Sequence, residues 1–306
     1  MGFNEKTGRV RFRQGSKKGL KNHYHFKNMT GKGERMQTGD LLIIGGNEEK
    51  CNEVEILKKF VEISAARTGP IGVLPTASRI PDEVSREYIE VLNRLGAGEV
   101  ICLDISSRAD ADSEEIARRI ESLAAVFITG GDQGRLAELI LGSKVYEALH
   151  NSWKKGMPIA GTSAGASIMG KVMIVSSQTK AADDVLQVEL GEGFGFLQNL
   201  VIDQHFSQRA RFGRLLGAIA ENTDLMGIGI DENTAILVRN GQFEVFGEHQ
   251  VFVFDGKEGE FVNSAVSSNG SEELTLSDFK LHTLTGGYRF DLGNRKLLLI
   301  GEEGQR

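Results

Sequence analysis

From Asp40 onward the chain alternates short apolar runs with longer stretches in which apolar residues recur at helical spacing. The first run, Leu41-Leu42-Ile43-Ile44, closes at Gly45-Gly46 and precedes a helix through Val54, Leu57, Phe60 and Val61. A second strand is predicted at Ile71–Leu74, followed by a helix that Pro81 starts and that runs through Val84, Tyr88, Val91 and Leu95. Val100–Leu103, Ala125–Thr129 and Pro158–Gly161 continue the series, with helices from near Ser113, Gln133 and Ser143 between them. Strands separated by helices at this pitch join through right-handed crossovers into a parallel sheet covered on both faces. The expected fold class is α/β, doubly wound, with a mostly parallel sheet of the flavodoxin-like kind.

After Asn199–Ile202 and one further helix the texture changes to short alternating strands, Ala235–Val238, Phe243–Phe246 and Val251–Phe254, punctuated by Asn240-Gly241 and Asp255-Gly256. These are hairpin signals, so the C-terminal strands are expected to be antiparallel and added to an edge of the same sheet. No linker rich in Pro or Ser separates the two textures, and no internal repeat is visible. Residues 37–306 are therefore expected to form one domain.

A chain of 306 residues that is 40% hydrophobic has enough apolar material for a substantial core. No apolar run approaches the roughly 18 residues of a membrane helix, and no apolar stretch of about 7–15 residues follows the basic N-terminus. The expected location is the cytoplasm. Cys51 and Cys102 lack metal-type spacing, and Cys102, inside Val100-Ile101-Cys102-Leu103, is expected to be a buried free thiol. Charge is uneven: residues 1–35 hold ten Lys/Arg against two Glu, which leaves 26 basic and 40 acidic side chains in the remainder. The arm 1–36, Gly-rich and without apolar period, is expected to be disordered and is assigned no function, nucleic-acid binding included.

Chemistry concentrates in three places. Gly161-Thr162-Ser163-Ala164-Gly165 follows the strand Met157-Pro158-Ile159-Ala160 and precedes the helix-like Ala164–Met169. This is the strand–turn–helix context in which flanking glycines allow a turn sharp enough to present a nucleophilic serine above a sheet. A serine needs a base, and six histidines are available. His23 and His25 lie in the arm, His150 in a helix, and His249 and His282 in the late strands; only His205 follows a parallel strand, at the end where open α/β sheets build sites. Asp231-Glu232 closes the next apolar run, and because adjacent residues leaving a strand point to opposite sides, one of the two can orient His205. The residues alone do not choose between them. Oxyanion donors are available from the N–H of Ala164 and from the turn Gly130-Gly131-Asp132, with Gly131 as the second donor.

The segment Ser207-Gln208-Arg209-Ala210-Arg211-Phe212 is read as opening a helix capped by Ser207, with Phe212, Leu215, Leu216 and Ile219 as its buried stripe. On that wheel Arg209 sits at the buried edge, Arg211 on the flank and Arg214 nearly opposite. A cation in a first turn opposes the helix dipole, so Arg209 suits an anion-binding role. Arg214 reads as a solvated surface residue.

Four blocks taken together, Ile128-Thr129-Gly130-Gly131-Asp132-Gln133, Gly161–Gly165, Asp203-Gln204-His205-Phe206-Ser207-Gln208-Arg209-Ala210-Arg211 and Gly229-Ile230-Asp231-Glu232-Asn233-Thr234-Ala235, resemble the cyanophycinases. The resemblance runs from about residue 38 to 300. It implies a serine peptidase with a fold akin to the class I glutamine amidotransferases, with serine where those enzymes use cysteine. It implies Ser163 as nucleophile, His205 as base and Glu232 as the orienting acid, and it places Gln133, Asp203, Gln204, Arg209, Arg211 and Arg214 around the substrate. It implies as substrate cyanophycin, a polyaspartate with arginine joined to each β-carboxyl, and as products β-aspartyl-arginine dipeptides. No metal or organic cofactor is implied, and a homodimer is. The alternatives are an aspartyl dipeptidase acting on small Asp-X peptides and a catalytically idle polymer-binding relative.

Overall fold

The computed structural model describes residues 9–10, 38–51, 54–180, 185–220, 222–263 and 274–298. The basic arm lies outside these residues except for Arg9–Val10, a two-residue strand paired with Val185 and Leu186.

Four of the predicted apolar runs are strands whose residues are buried throughout: Leu41–Ile44, Ile71–Leu74, Ala125–Ile128 and Ile159–Thr162 present no exposed position on either face, whereas in Val100–Cys102, at the sheet's edge, Ile101 and Cys102 are half-buried. Burial on both faces is what a parallel sheet sandwiched by helices demands. With Val100–Cys102 these strands form the parallel half of a nine-stranded sheet. The antiparallel half is Thr234–Arg239, Gln242–Gly247, Arg289–Asp291 and Lys296–Leu298, joined along Leu41–Ile44. Helices Glu55–Ser64 and Pro81–Arg94 bury Leu57, Phe60, Tyr88 and Leu92 against one face. Glu114–Glu121, Gln133–Ile140 and Lys144–Lys154 cover the other. Proline starts the second helix and serine side chains cap those beginning at Glu114 and Lys144, as their N-terminal signals require.

The C-terminal strands do not all extend the main sheet. Val251–Asp255 pairs with Lys280–Leu284 and with Met226–Ile230, which runs parallel to Leu200–Gln204; these four strands make a second sheet. Asn240-Gly241 forms the expected hairpin turn, with φ 52° and 79° at its two residues, the left-handed pair a tight right-twisting hairpin needs. Asp255-Gly256 is not such a turn. Asp255 instead accepts from Lys257 N and ion-pairs with Arg295, and the strand after it, Glu260–Asn263, pairs with Leu274–Ser277. A long hairpin, Val172–Lys180 with Val185–Glu192, stands apart from both sheets.

The two sheets meet at the loop after Ile44. Gly45 N–H donates to Thr234 O, while Gly45 O accepts from His205 N at 2.8 Å and Gly46 O from Asn233 N at 3.0 Å. The carboxyl ends of Leu41–Ile44 and Ile159–Thr162 in one sheet and of Leu200–Gln204 and Met226–Ile230 in the other are thereby drawn to a single point.

Candidate active site

Ser163 lies at that point. Its backbone is at φ 52°, ψ −111°, a conformation that side-chain-bearing residues rarely adopt and that costs on the order of 1–3 kcal/mol. The surroundings enforce it: Ser163 N donates to Ile44 O at 3.1 Å, and Ser163 O accepts from Ala166 N and Ser167 N at 3.0 Å. Both flanking glycines are obligatory for close approach. A Cβ on Gly161 would lie 2.2 Å from Gly165 O, and one on Gly165 would lie 2.3 Å from Ile128 O.

The Ser163 hydroxyl is 3.0 Å from His205 Nε2, and His205 Nδ1 is 2.6 Å from Glu232 Oε1. With its proton on Nδ1 facing the carboxylate, the imidazole turns the Nε2 lone pair to the serine. His205 is itself at φ 46°, and a Cβ on Gly46 would lie 2.4 Å from its Cε1 and Nε2, so the ring occupies the space that glycine leaves. Glu232 accepts through its other oxygen from Asn47 Nδ2 at 3.1 Å, and its backbone N–H donates to Gln208 Oε1 at 3.2 Å. Asp231 points away: it is buried, taking Ser207 N at 2.8 Å and Gln250 N at 3.4 Å. Glu232 is the acid that faces His205.

Burial pushes the His205 imidazole below the ordinary histidine value, the hydrogen bond to Glu232 opposes that, and the charge of Arg209 adds to it. The hydrogen bond from His205 holds Glu232 below the usual carboxylate range. A base must be neutral to take a proton, so the active form is the one present above the His205 pKa and lost as pH falls through it. The acid limb of kcat/KM is expected below about pH 6.5, and Arg209→Ala should move it upward. A pH–rate profile of the two proteins measures both; an acid limb above the ordinary histidine value would contradict the burial argument.

Gly130 flanks the serine on the side of strand Ala125–Ile128, and Gly131 follows it against Ala77. A Cβ on Gly130 would come 3.2 Å from Ser163 Cβ, and Gly131, at φ 141°, packs so tightly that one would lie 2.0 Å from Ala77 O. Ala164 is the first residue of the short helix behind the serine, where backbone N–H groups have no intrahelical acceptor. Gln133 Nε2 donates to Ile174 O at 2.9 Å and Val175 O at 3.3 Å, pinning the long hairpin beside the turn.

The arginine segment departs from the sequence expectation. Ser207 does not cap a helix: residues 206–211 are turns, Ala210 is left-handed at φ 49°, and the helix is Phe212–Ala220. The wheel therefore does not apply to Arg209, which precedes the helix, whereas Arg214 lies within it opposite the apolar stripe, on a side where Gly217 and Ala218 are also buried and where its Nη1 reaches Ser177 of the long hairpin. Arg214, expected in solvent, is 12% exposed and grips Asp203, with Nε 2.6 Å from Oδ2 and Nη2 on Oδ1. Arg211, equally enclosed, bonds Asp203 Oδ1 at 3.2 Å and Gln204 O. Arg209, expected at a buried edge, is exposed. Asp203, 1% exposed, spends both oxygens on these guanidiniums and on Gln204 N, so it orients the arginines and has no oxygen left over for a ligand. Burial brings the Arg211 pKa down to about 10 against the pull of Asp203, which leaves it cationic at neutral pH. Gln204 links this cluster to the serine, its Oε1 3.4 Å from Ser163 Oγ.

A hydroxyl, an imidazole and a carboxylate in hydrogen-bonded series form an arrangement for acyl transfer, with two fixed guanidiniums beside it. The model of peptidase family S51 matches residues 41–246. The chain belongs to that family. S51 membership makes it a serine-type peptidase. Curated relatives include the cyanophycinase of Trichormus variabilis, 37% identical over 261 residues, which span 84% of this chain and 87% of that protein. The cyanophycinase of Synechococcus elongatus is 35% identical over 256 residues, 83% of this chain and 79% of its own. Among solved structures, a peptidase from an acI-B1 Actinobacterium superposes with a TM-score of 0.63 at 23% identity, covering 84% of this chain and 98% of its own, which speaks to the fold. Among the described residues no group of three or more His, Cys, Asp and Glu is placed to hold a metal, and no helix is long and apolar enough to cross a membrane.

Asn47, Gln208 and Glu48 were not singled out from the sequence. The signal for Asn47 and Glu48 was their position directly after Gly45-Gly46, at the carboxyl end of the strand lying against the elbow strand.

Proposed function

We propose that the chain hydrolyses cyanophycin to β-aspartyl-arginine dipeptides, with Ser163 as nucleophile, His205 as base and Glu232 as orienting acid. The observation that carries the substrate class is the Arg211–Arg214 pair fixed on Asp203, next in the chain to Gln204, whose Oε1 lies 3.4 Å from Ser163 Oγ. Two guanidiniums on one carboxylate leave a net positive charge, and guanidinium forks match carboxylates, which cyanophycin presents on every repeat. The similarity to cyanophycinases over most of the chain supports the same substrate.

In this reading Ser163 Oγ attacks an α-aspartyl carbonyl while His205 Nε2 takes its proton. The oxyanion is held by the N–H groups of Ala164 and Gly131. His205 returns the proton to the leaving amine, the acyl-enzyme forms, and water enters by the same route in reverse to free Ser163. Gln133, Gln204 and Arg209 border the bound repeat. The protein works as a homodimer in the cytoplasm, with neither nucleic acid nor membrane as partner.

Incubation with purified cyanophycin should release β-aspartyl-arginine, while small Asp-X dipeptides should be poor substrates; the opposite preference would make the protein an aspartyl dipeptidase. Arg214→Lys should lose the bidentate grip on Asp203 and lower kcat/KM by about 1–3 kcal/mol. Arg209→Lys, exposed and retaining charge, should cost less. Steady-state kinetics of the two lysine variants on the polymer rank them, and equal losses would remove Asp203 from the argument.

A further inference from the structure

We propose that Glu48, a buried carboxylate outside the serine–histidine–glutamate series, is a positioning residue that holds the elbow strand in place for Ser163. Glu48 is 4% exposed. Its Oε2 accepts the Thr162 hydroxyl at 2.6 Å, and its Oε1 accepts the Tyr88 hydroxyl. Thr162, 2% exposed, ends the elbow strand and immediately precedes Ser163. Tyr88 is a rigid anchor on helix Pro81–Arg94, its ring packed on Phe127 with centroids 4.6 Å apart. Burial, and after it the charge of Glu48, raises the Tyr88 phenol, so both hydroxyls remain donors to the carboxylate.

Enclosing a carboxylate costs several kcal/mol that two neutral hydroxyls only partly offset, so packing alone would favour an apolar side chain at 48. What the carboxylate adds is direction. Residues 45–48 reach all three members of the series: Gly45 and Gly46 seat His205, Asn47 holds Glu232, and Glu48 ties the residue before Ser163. Because Ser163 is held at a rarely populated φ and ψ, its hydroxyl position depends on where the preceding strand ends. A displacement of about 1 Å at a reacting atom costs on the order of 100-fold in rate.

The inference rests on Ser163 being the nucleophile, and the test separates the two. Turnover of cyanophycin is measured per site titrated with a serine-directed phosphonate, alongside KM and the thermal midpoint. Thr162→Val, nearly isosteric but without the donor, should lower kcat per titrated site about 10- to 100-fold with KM nearly unchanged. Thr162→Ser should restore it, and Glu48→Gln should retain most of it, since the amide oxygen accepts one hydroxyl and its nitrogen donates to the other. Tyr88→Phe, on the far side of the carboxylate, should cost less. A lowered thermal midpoint with wild-type kcat per site in Thr162→Val would overturn the role of Glu48. Turnover by Ser163→Ala would instead overturn the nucleophile assignment.

Discussion

Replacing Ser163 by alanine is expected to abolish release of β-aspartyl-arginine while leaving the fold and polymer binding intact. Alanine keeps the Cβ that position 163 already accommodates at φ 52°, and it leaves undisturbed the two glycines whose absent side chains make room for the elbow. Only the oxygen 3.0 Å from His205 Nε2 is removed. Arg211, Arg214 and Asp203 make none of their hydrogen bonds to Ser163, so the polymer should still bind. Loss of the nucleophile from such a series lowers kcat by about a millionfold in a well-developed hydrolase. Dipeptide release measures the first expectation and polymer binding the second; turnover above about a hundredth of wild type would remove Ser163 from the chemistry.

Glu232→Gln should lower kcat by about four orders of magnitude with little change in KM, because an amide facing Nδ1 no longer selects the tautomer that leaves Nε2 free to accept. Asp231→Asn should do far less. Asp231 accepts the backbone N–H groups of Ser207 and Gln250, a role that an amide oxygen can partly fill, and it does not face the imidazole. Its loss should therefore appear in the thermal midpoint more than in kcat. Kinetics and melting of the two variants decide the ranking, and the reverse order would make Asp231 the orienting acid.

The parallel half of the sheet was legible because four of its five strands are buried on both faces and therefore read as unbroken apolar runs, bounded by proline and serine signals that are local. The elbow was legible for a related reason: backbone crowding at Gly161 and Gly165 leaves no alternative to glycine. The choice between Asp231 and Glu232 was not, since alternation along a chain shows that two neighbours diverge without showing which neighbour meets His205; the family resemblance pointed to Glu232, whose Oε1 lies 2.6 Å from His205 Nδ1. The segment 207–211 misled because serine, glutamine, arginine and alanine carry no helix-breaking signal. What ends the turn is the left-handed Ala210, with Ala210 N–H closing on Ser207 O and Arg211 N–H on Phe206 O, a conformation that alanine does not announce. Arg209 therefore has no place on a helical wheel, while Arg214, opposite the apolar stripe of the helix that does form, is enclosed by Asp203 and the long hairpin, partners that a stripe of apolar residues cannot announce. The division of the late strands between two sheets was hidden likewise, because Asp255-Gly256 looks like a turn locally while pairing is settled by Lys280–Leu284, far along the chain.

That division has a consequence for how the molecule fails. Ser163 is carried by the nine-stranded sheet and His205 by the four-stranded one, and their hydroxyl and imidazole meet across the seam at Gly45. Neither sheet alone holds a complete reaction centre. Mild denaturant that loosens the seam should silence hydrolysis while both layers keep their internal ladders, so loss of turnover precedes loss of secondary structure. Substitutions buried deep in the smaller layer, remote from any bound polymer, then become inactivating without being unfolding.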